Sequence, residues 1–266
     1  MQAFNPTGRP GTAAGPVLAP LSGPLENASL LLANHLVRRL GPDTAAVLMA
    51  AGRRIVLKAG QTLWTPGQAA DAICFPLSGV ITGIASDLEG SAAQVECTGV
   101  DGAVGLVEGL AGVPLAFEQR AMVDTEGWLV PAEAVRGLMR ACPAAAEVIQ
   151  RHLAGLYDDA RRATACAARH ALLARLADCL LAYQDKTSLS RLPLTQETLS
   201  AVLGANRTTV TALAIKLSDA GLTRTGRGWV SIVDGERLGH IACGCRKAVS
   251  GAAIRDAIGA APPALA

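Results

Sequence analysis

Two short helical segments joined by a glycine turn constrain this chain more than any other feature. Pro193-Leu194-Thr195-Gln196-Glu197-Thr198-Leu199-Ser200-Ala201-Val202-Leu203-Gly204 reads as a short helix that starts at a threonine cap and stops on glycine. Glu197 or Thr198 helps to fill its first turn. Ala205-Asn206 makes the turn, and Arg207 to Ala220 reads as a second helix with Val210, Leu213, Ala214 and Leu217 on its inner face. Two helices joined this tightly form a helix-turn-helix, a motif whose second helix enters the DNA major groove. The run Leu222-Thr223-Arg224-Thr225-Gly226-Arg227-Gly228-Trp229-Val230-Ser231-Ile232 follows as a hairpin with a basic, glycine-rich tip. Residues 234–248 read as helical and 249–266 as a flexible tail.

The texture upstream is different. From Arg53 to about Val130 glycine recurs every several residues, with Ile55-Val56-Leu57, Ile73-Cys74-Phe75, Val80-Ile81 and Val104-Gly105-Leu106-Val107 between. Short strands at this spacing predict a small β-barrel or sandwich. Before it, Leu30 to Leu40 fits a short helix stopped by Gly41-Pro42, and Thr44 to Ala51 a second. Residues 1–25, with Pro6, Pro10, Pro16, Pro20 and Pro24, read as a disordered leader.

After the strands, Pro131 takes the first position of a helix over 131–141, and Pro143 opens a longer one to about Ala168. In the longer helix Ile149, Leu153, Leu156, Ala160, Ala163 and Ala167 fall at steps of 4, 3, 4, 3, 4, a heptad seam. Such a seam needs a partner surface, either another chain or this chain's own core. A further helix carries Leu172, Leu173, Leu176, Leu180 and Leu181.

Composition narrows the class. Half of the residues are hydrophobic but only 3% are aromatic, so Ala- and Leu-rich helices are expected. Hydrophobicity this high excludes disorder for the bulk of the chain. No uncharged apolar run approaches the length of a membrane span, and no secretory signal is read. Seven scattered cysteines suit a reduced, cytoplasmic protein better than a disulfide scaffold. Residues 1–135 hold 7 Lys/Arg against 12 Asp/Glu, whereas residues 136–266 hold 17 against 10. An acidic first half and a basic second half predict two modules, the second facing a polyanion.

The stretch Leu194-Thr195-Gln196-Glu197 followed by Leu203-Gly204-Ala205-Asn206-Arg207-Thr208-Thr209-Val210-Thr211 resembles the helix-turn-helix of the Crp–Fnr superfamily of bacterial transcription regulators. Leu57-Lys58-Ala59-Gly60, Gly67 and Ile73 to Val80 resemble the strands of its sensor domain. The resemblance covers roughly residues 50–235 and implies an α+β chain. Its parts would be an N-terminal double-stranded β-helix, or β-roll, then a long dimerisation helix and a C-terminal winged helix-turn-helix. The implied domains are a leader at 1–25, a cyclic-nucleotide-binding-like sensor at 26–141, a dimer helix at 142–168, a DNA-binding domain at 169–248 and a tail at 249–266. It further implies a homodimer on a palindromic operator, with RNA polymerase as a partner. Arg207, Thr208 and Thr211 would face base edges, and Thr195, Gln196, Asn206 and Thr209 would hold phosphates. Arg224 and Arg227 would add backbone charge from the wing. The seam residues from Ile149 to Ala167 would be the dimer interface. Thr208 stands where many relatives have Glu and Ala212 where many have Arg, so a different DNA site is expected.

The sensor departs further from the family. Cyclic-nucleotide members carry Gly-Glu and an Arg-(Ser/Thr/Ala) pair. Here Gly105 is followed by Leu106, Glu108 comes two positions late, and Arg120-Ala121 is the only phosphate pair available. Residues 85–126 hold eight acids against the single base Arg120. Cyclic AMP is therefore not expected to bind; a roll without a ligand and a roll with another ligand both remain open. No cofactor is expected.

Cys243-x-Cys245 has His240 nearby as a third metal ligand but no fourth, so no metal site is read, and packed thiols or a redox pair are the alternatives. The first cysteine is Cys74, so the amino-terminal cysteine cluster of iron–sulfur relatives is lacking. His35, His152 and His170 read as isolated structural histidines. No nucleophile–base array or phosphate loop supports catalysis. The competing reading is a ligand-binding or protein-interaction module whose winged helix no longer reads DNA; it predicts acidic or apolar residues where Arg207, Arg224 and Arg227 stand.

Overall fold

The apolar runs that follow Arg53 are of strand length, and most of them pair. The computed structural model describes residues 17–18, 30–86, 92–187 and 189–245. Its first part contains β1 (Val17–Leu18), β2 (Arg53–Leu57), β3 (Thr62–Trp64), β4 (Ala72–Pro76), β5 (Ile81–Ser86), β6 (Ala92–Thr98), β7 (Glu118–Ala121) and β8 (Thr125–Pro131). They form two antiparallel sheets, in the orders β1-β2-β8-β4 and β3-β7-β5-β6. Ile55 lies opposite Gly127, and Ile81 lies opposite both Thr98 and Ala121. The alternating pleat sends Ile55, Leu57, Ile81, Ala121 and Leu129 into one interior, with Trp64, Val104 and Leu115. Gly79 turns the chain from β4 to β5 at φ 73°, where a Cβ would lie 2.3 Å from Thr125 Oγ1. Only glycine fits there.

Two expectations need adjustment here. Val17 and Leu18 pair with Val56 and Ile55, so a short strand falls within the stretch read as a disordered leader. The rest of that leader, and the tail at 249–266, lie outside the described residues. The run 104–107 is not a strand: Val104 makes an isolated bridge to Cys74, and Gly105, at φ 71°, starts a helix.

The helices are α1 (His35–Leu40), α2 (Pro42–Ala51), α3 (Leu106–Ala111), α4 (Ala132–Ala141), α5 (Pro143–Arg169), α6 (Leu172–Thr187), α7 (Gln196–Leu203), α8 (Arg207–Asp219) and α9 (Gly235–Ile241). The first helix begins later than its leucines imply, because Asn34 caps it. Asn34 Oδ1 accepts from the backbone of Leu36 and Val37, and its Nδ2 donates to the carbonyls of Pro76 and Gly102. A fully buried amide with all these partners satisfied anchors α1 to the roll. Pro131 ends β8 and caps α4 instead of occupying its first turn.

The long helix α5 has two different halves. Ile149 is 1% exposed and packs with Leu31, Leu36, Phe75, Trp128 and Val135, and Leu153 leans on the same cluster. Ile149 therefore belongs to this chain's own core and not to a dimer surface. The N-terminal half of the seam faces the roll, and the pattern alone did not distinguish that partner from a second chain. Beyond Leu156, which is half-buried, Ala160, Ala163 and Ala167 are exposed, as is Tyr157.

The last part is built on α6. Leu176, Leu180, Leu199, Leu203, Val210, Leu217, Leu222, Val230 and Leu238 share one cluster. Each fully buried leucine here stabilises the fold by roughly 1.5–3 kcal/mol. The strands β9 (Arg191–Leu192), β10 (Thr223–Gly226) and β11 (Trp229–Ile232) form the wing, in the order β10-β11-β9. Val80 and Val123 of the roll join the same cluster, α7 packs along β6, and Lys186 Nζ lies 2.7 Å from Asp101. The fold is thus the α+β arrangement expected, with roll, long helix and winged helix-turn-helix in that order.

Candidate DNA interface

The turn that presents α8 is held by several hydrogen bonds. Thr195 Oγ1 accepts from the Thr198 N–H at 2.9 Å and caps α7. Gly204 closes α7 in the left-handed conformation at φ 56°, the terminus that favours glycine. Arg175 Nη2 donates to the Leu203 carbonyl at 2.8 Å, and Ser200 Oγ donates to the Ala205 carbonyl. Asn206 Oδ1 accepts from both the N–H and the hydroxyl of Thr208, which caps α8. The N-terminus of α8, with its partial positive charge, projects from this rigid turn.

Around that terminus lie exposed polar and basic side chains. Arg207, Thr208 and Thr209 are exposed, as are Arg224 on β10 and Arg227 in the turn after it. Among the described residues, none of Arg207, Arg224 and Arg227 takes part in an ion pair. Unpaired guanidinium groups keep their full capacity for phosphate or guanine. Thr208 donates its hydroxyl hydrogen to Asn206 and keeps acceptor lone pairs, which suit cytosine N4 or adenine N6. Thr211 directs its hydroxyl hydrogen inward: it donates to Gln196 Oε1 at 2.7 Å and lies 2.8 Å from the Arg207 carbonyl. Like Thr208 it retains acceptor lone pairs, and it carries a methyl group beside them. Gln196 retains its Nε2 hydrogens for a phosphate. At the root of the wing, Arg191 stacks 3.9 Å over the Trp229 ring.

Thr195 stands apart from this group. It lines a cleft of about 480 Å³ together with Thr198, Ala201 and Val202 of α7 and Thr82, Gln94, Glu118 and Arg120 of the roll. The sequence placed it with the phosphate contacts; in this arrangement it faces the roll.

The residues read as an effector pocket come from two elements, the start of α3 and strand β7. Leu106 is 2% exposed and packs in the core beside Phe75 and Trp128. Gly105 lies against the Trp64 ring, so close that a Cβ would be 3.0 Å from it. Glu108, half-buried on α3, acts electrostatically on Glu96. Arg120 and Ala121 are on β7, and Ala121 is fully buried. Arg120 gives Nε and Nη2 to Glu118 at 2.9 and 2.7 Å. Thr62 also donates to Glu118. The one cation of this stretch is thus neutralised by a neighbour two residues away. Behind it, burial pushes the Glu96 carboxyl above the usual range, against hydrogen bonds from Gln119 and Thr98 that pull it down.

Two groups among the cysteines differ in setting. Burial pushes the thiols of Cys74 and Cys97 up to about 12 and about 11, so neither is a thiolate near neutral pH. Cys243 and Cys245 are grouped with Cys166 and His170, and not with His240. His170 is therefore not the isolated residue that it appeared in the sequence. The signal was present, since Cys166 and His170 are one helical turn apart at the end of α5.

Residues 174–241 match the family of Crp-like helix-turn-helix domains. Comparison with curated proteins gives no match. Among solved structures the fold is similar to FixK2 from Bradyrhizobium japonicum, at 15% identity and a TM-score of 0.64, over 72% of this chain and 98% of that one. It is similar to a CRP-family transcriptional regulator of Thermus thermophilus, at 20% identity and a TM-score of 0.62, over 70% of this chain and 95% of that one. A CRP/FNR-family regulator of the same organism shares 25% identity at a TM-score of 0.58, over 71% of this chain and 98% of that one. No helix among the described residues is long and apolar enough to cross a membrane. Residues 174–241 are thus a Crp-like helix-turn-helix domain, carried on a chain with the fold of solved Crp/Fnr-type transcription regulators.

Proposed function

We propose that the chain acts in the cytoplasm as a homodimer on a two-fold operator, without an enzymatic activity of its own. The observation that carries this reading is the set of unpaired, exposed arginines around the α8 terminus and the wing, Arg207, Arg224 and Arg227. Arg207 and Thr208 read base edges, with the Thr211 methyl beside them. Gln196, Asn206 and Thr209 hold phosphates, and Thr195 does so once α7 is turned toward the duplex. The wing arginines neutralise flanking phosphates. Arg120, locked to Glu118, leaves the roll a poor trap for cyclic AMP, and no cofactor is assigned. RNA polymerase is the partner through which such a regulator acts on transcription.

Dimerisation follows from the C-terminal half of α5. Leu156, Ala160, Ala163 and Ala167 continue the heptad spacing where the helix leaves the roll, and the alanines let two backbones approach. Leu156→Asp should give a folded monomer, because a charge buried at the seam costs several kcal/mol. Sedimentation of this variant tests the reading, with circular dichroism as the check on folding. A dimer unchanged by the substitution would remove α5 as the interface. Half-sites about one helical turn apart are expected, since a two-fold dimer presents both α8 helices to one face of the duplex.

A further inference from the structure

We propose that Cys166, His170, Cys243 and Cys245 form a tetrahedral site for one zinc-like divalent cation, which staples the end of α5 to the segment after α9. The two pairs come from distant parts of the chain. Cys166 and His170 are four residues apart, one above the other where α5 ends, and His170 is the residue that stops the helix. Cys243 and Cys245 flank Gly244, whose left-handed φ of 71° turns the backbone between them. The Cys243 N–H donates to the Ala174 carbonyl at 3.2 Å, which holds the second pair against α6 beside the first.

The distances match a coordination shell. The ligand atoms of all four residues lie within 4.8 Å of one another. Cys166 Sγ is 3.6 Å from Cys243 Sγ, and Cys245 Sγ is 3.3 Å from His170 Nδ1. In a tetrahedron with zinc–sulfur bonds of about 2.3 Å and a zinc–nitrogen bond of about 2.0 Å, the corresponding edges are roughly 3.8 and 3.5 Å. A disulfide would need sulfurs at about 2.05 Å, and all seven cysteines are free. Three sulfurs and an imidazole are soft or borderline donors, which suit zinc and exclude magnesium or calcium. Four protein ligands leave no open position, so the site is structural and not catalytic.

Binding balances as follows. Three thiols lose their protons to solvent, His170 binds through a neutral imidazole nitrogen, and no electron is transferred. Three thiolates around a divalent ion leave one net negative charge. Asp159, Arg162, Arg175 and Asp178 line the cleft beside Cys166 and Cys245, so the surroundings carry as many bases as acids. Only Ala171 separates the residue that stops α5 from the start of α6. A metal here adds a second tie across that joint and fixes the angle between the long helix and the winged helix.

The test uses the full chain, purified without chelator. Elemental analysis should find zinc at about one ion per chain. Protein stripped of metal and titrated with cobalt should show the intense visible absorption of a tetrahedral thiolate site, saturating at one equivalent. Cys245→Ser and His170→Ala should lose most of the metal and weaken the cobalt spectrum. Chelator should lower the melting temperature of the wild type and leave that of Cys166→Ser/Cys245→Ser unmoved. Stripped wild type that takes up neither metal at one equivalent, a weak octahedral cobalt spectrum, or a Cys166–Cys243 disulfide in freshly prepared metal-free protein would each overturn the assignment. If a variant fails to fold, the wild-type cobalt spectrum decides alone.

Discussion

Arg120 of the roll and Arg207 of α8 are the same residue type, and their surroundings make them different chemical groups. Arg120 is half-exposed, but its guanidinium is already forked onto Glu118, which also accepts from Thr62. Arg207 stands one residue past the α8 cap, exposed and outside any ion pair among the described residues. Arg120 thus lies in an acidic field that uses it up, while the winged helix offers several unspent cations. An arginine binds an anion only when no carboxylate has claimed it first.

The largest expected effect breaks the comparison on the DNA side. Arg207→Ala should cost roughly 1–3 kcal/mol and relax preference at one base pair in each half-site. Binding titrations on a selected operator and on scrambled DNA measure this; an unchanged ratio between them would mean that α8 is not the reader. Inside the roll, Glu96→Gln removes a buried acid whose folded-state pKa is raised by burial. A raised pKa stabilises the fold below the unfolded value of about 4.3 and loses that contribution as pH rises through the folded value. The melting-temperature advantage of the variant should therefore widen between acidic and mildly alkaline buffers. A constant advantage would place the charge of Glu96 in water and not in the interior.

Smaller effects sharpen the contrast. Arg227→Ala should weaken operator and scrambled DNA alike and flatten the salt dependence by about one unit per subunit contact. A loss confined to the operator would move Arg227 from the phosphates to the bases. The smallest expected change is on the roll. The wild-type chain should give no calorimetric signal with micromolar cyclic AMP. Glu118→Gln, which frees Arg120, should raise affinity for phosphate by less than about tenfold, since half-exposed ion pairs are weak. Tight nucleotide binding by the wild type would show that backbone donors, and not Arg120, dominate the pocket.

The helix-turn-helix was legible because its signals are local. A threonine cap, a glycine stop, an asparagine cap and apolar residues at Val210, Ala214 and Leu217 all act within one or two helical turns. Their neighbours in sequence are their neighbours in space. The roll was legible as strands between glycines, but not its pairing: β2 finds β8 some seventy residues on, and the run after Val104 became a helix once Gly105 took a left-handed turn. The heptad seam was read as a surface needing a partner, and at Ile149 that partner is the chain's own core, while Ala160, Ala163 and Ala167 stay exposed.

Sequence alone therefore determined the class of each module and put forward Arg207, Arg224 and Arg227 as the candidate DNA contacts, because caps, turns and periodicity are short-range physics. Tertiary structure decided what those residues meet. It set Glu118 against Arg120, turned Thr195 toward the roll, and committed the Thr211 hydroxyl to Gln196. It also gathered Cys166 and His170 with Cys243 and Cys245, residues more than seventy positions apart. No spacing rule joins such pairs, since their approach depends on how α5, α6 and α9 pack, and packing is a property of the whole core.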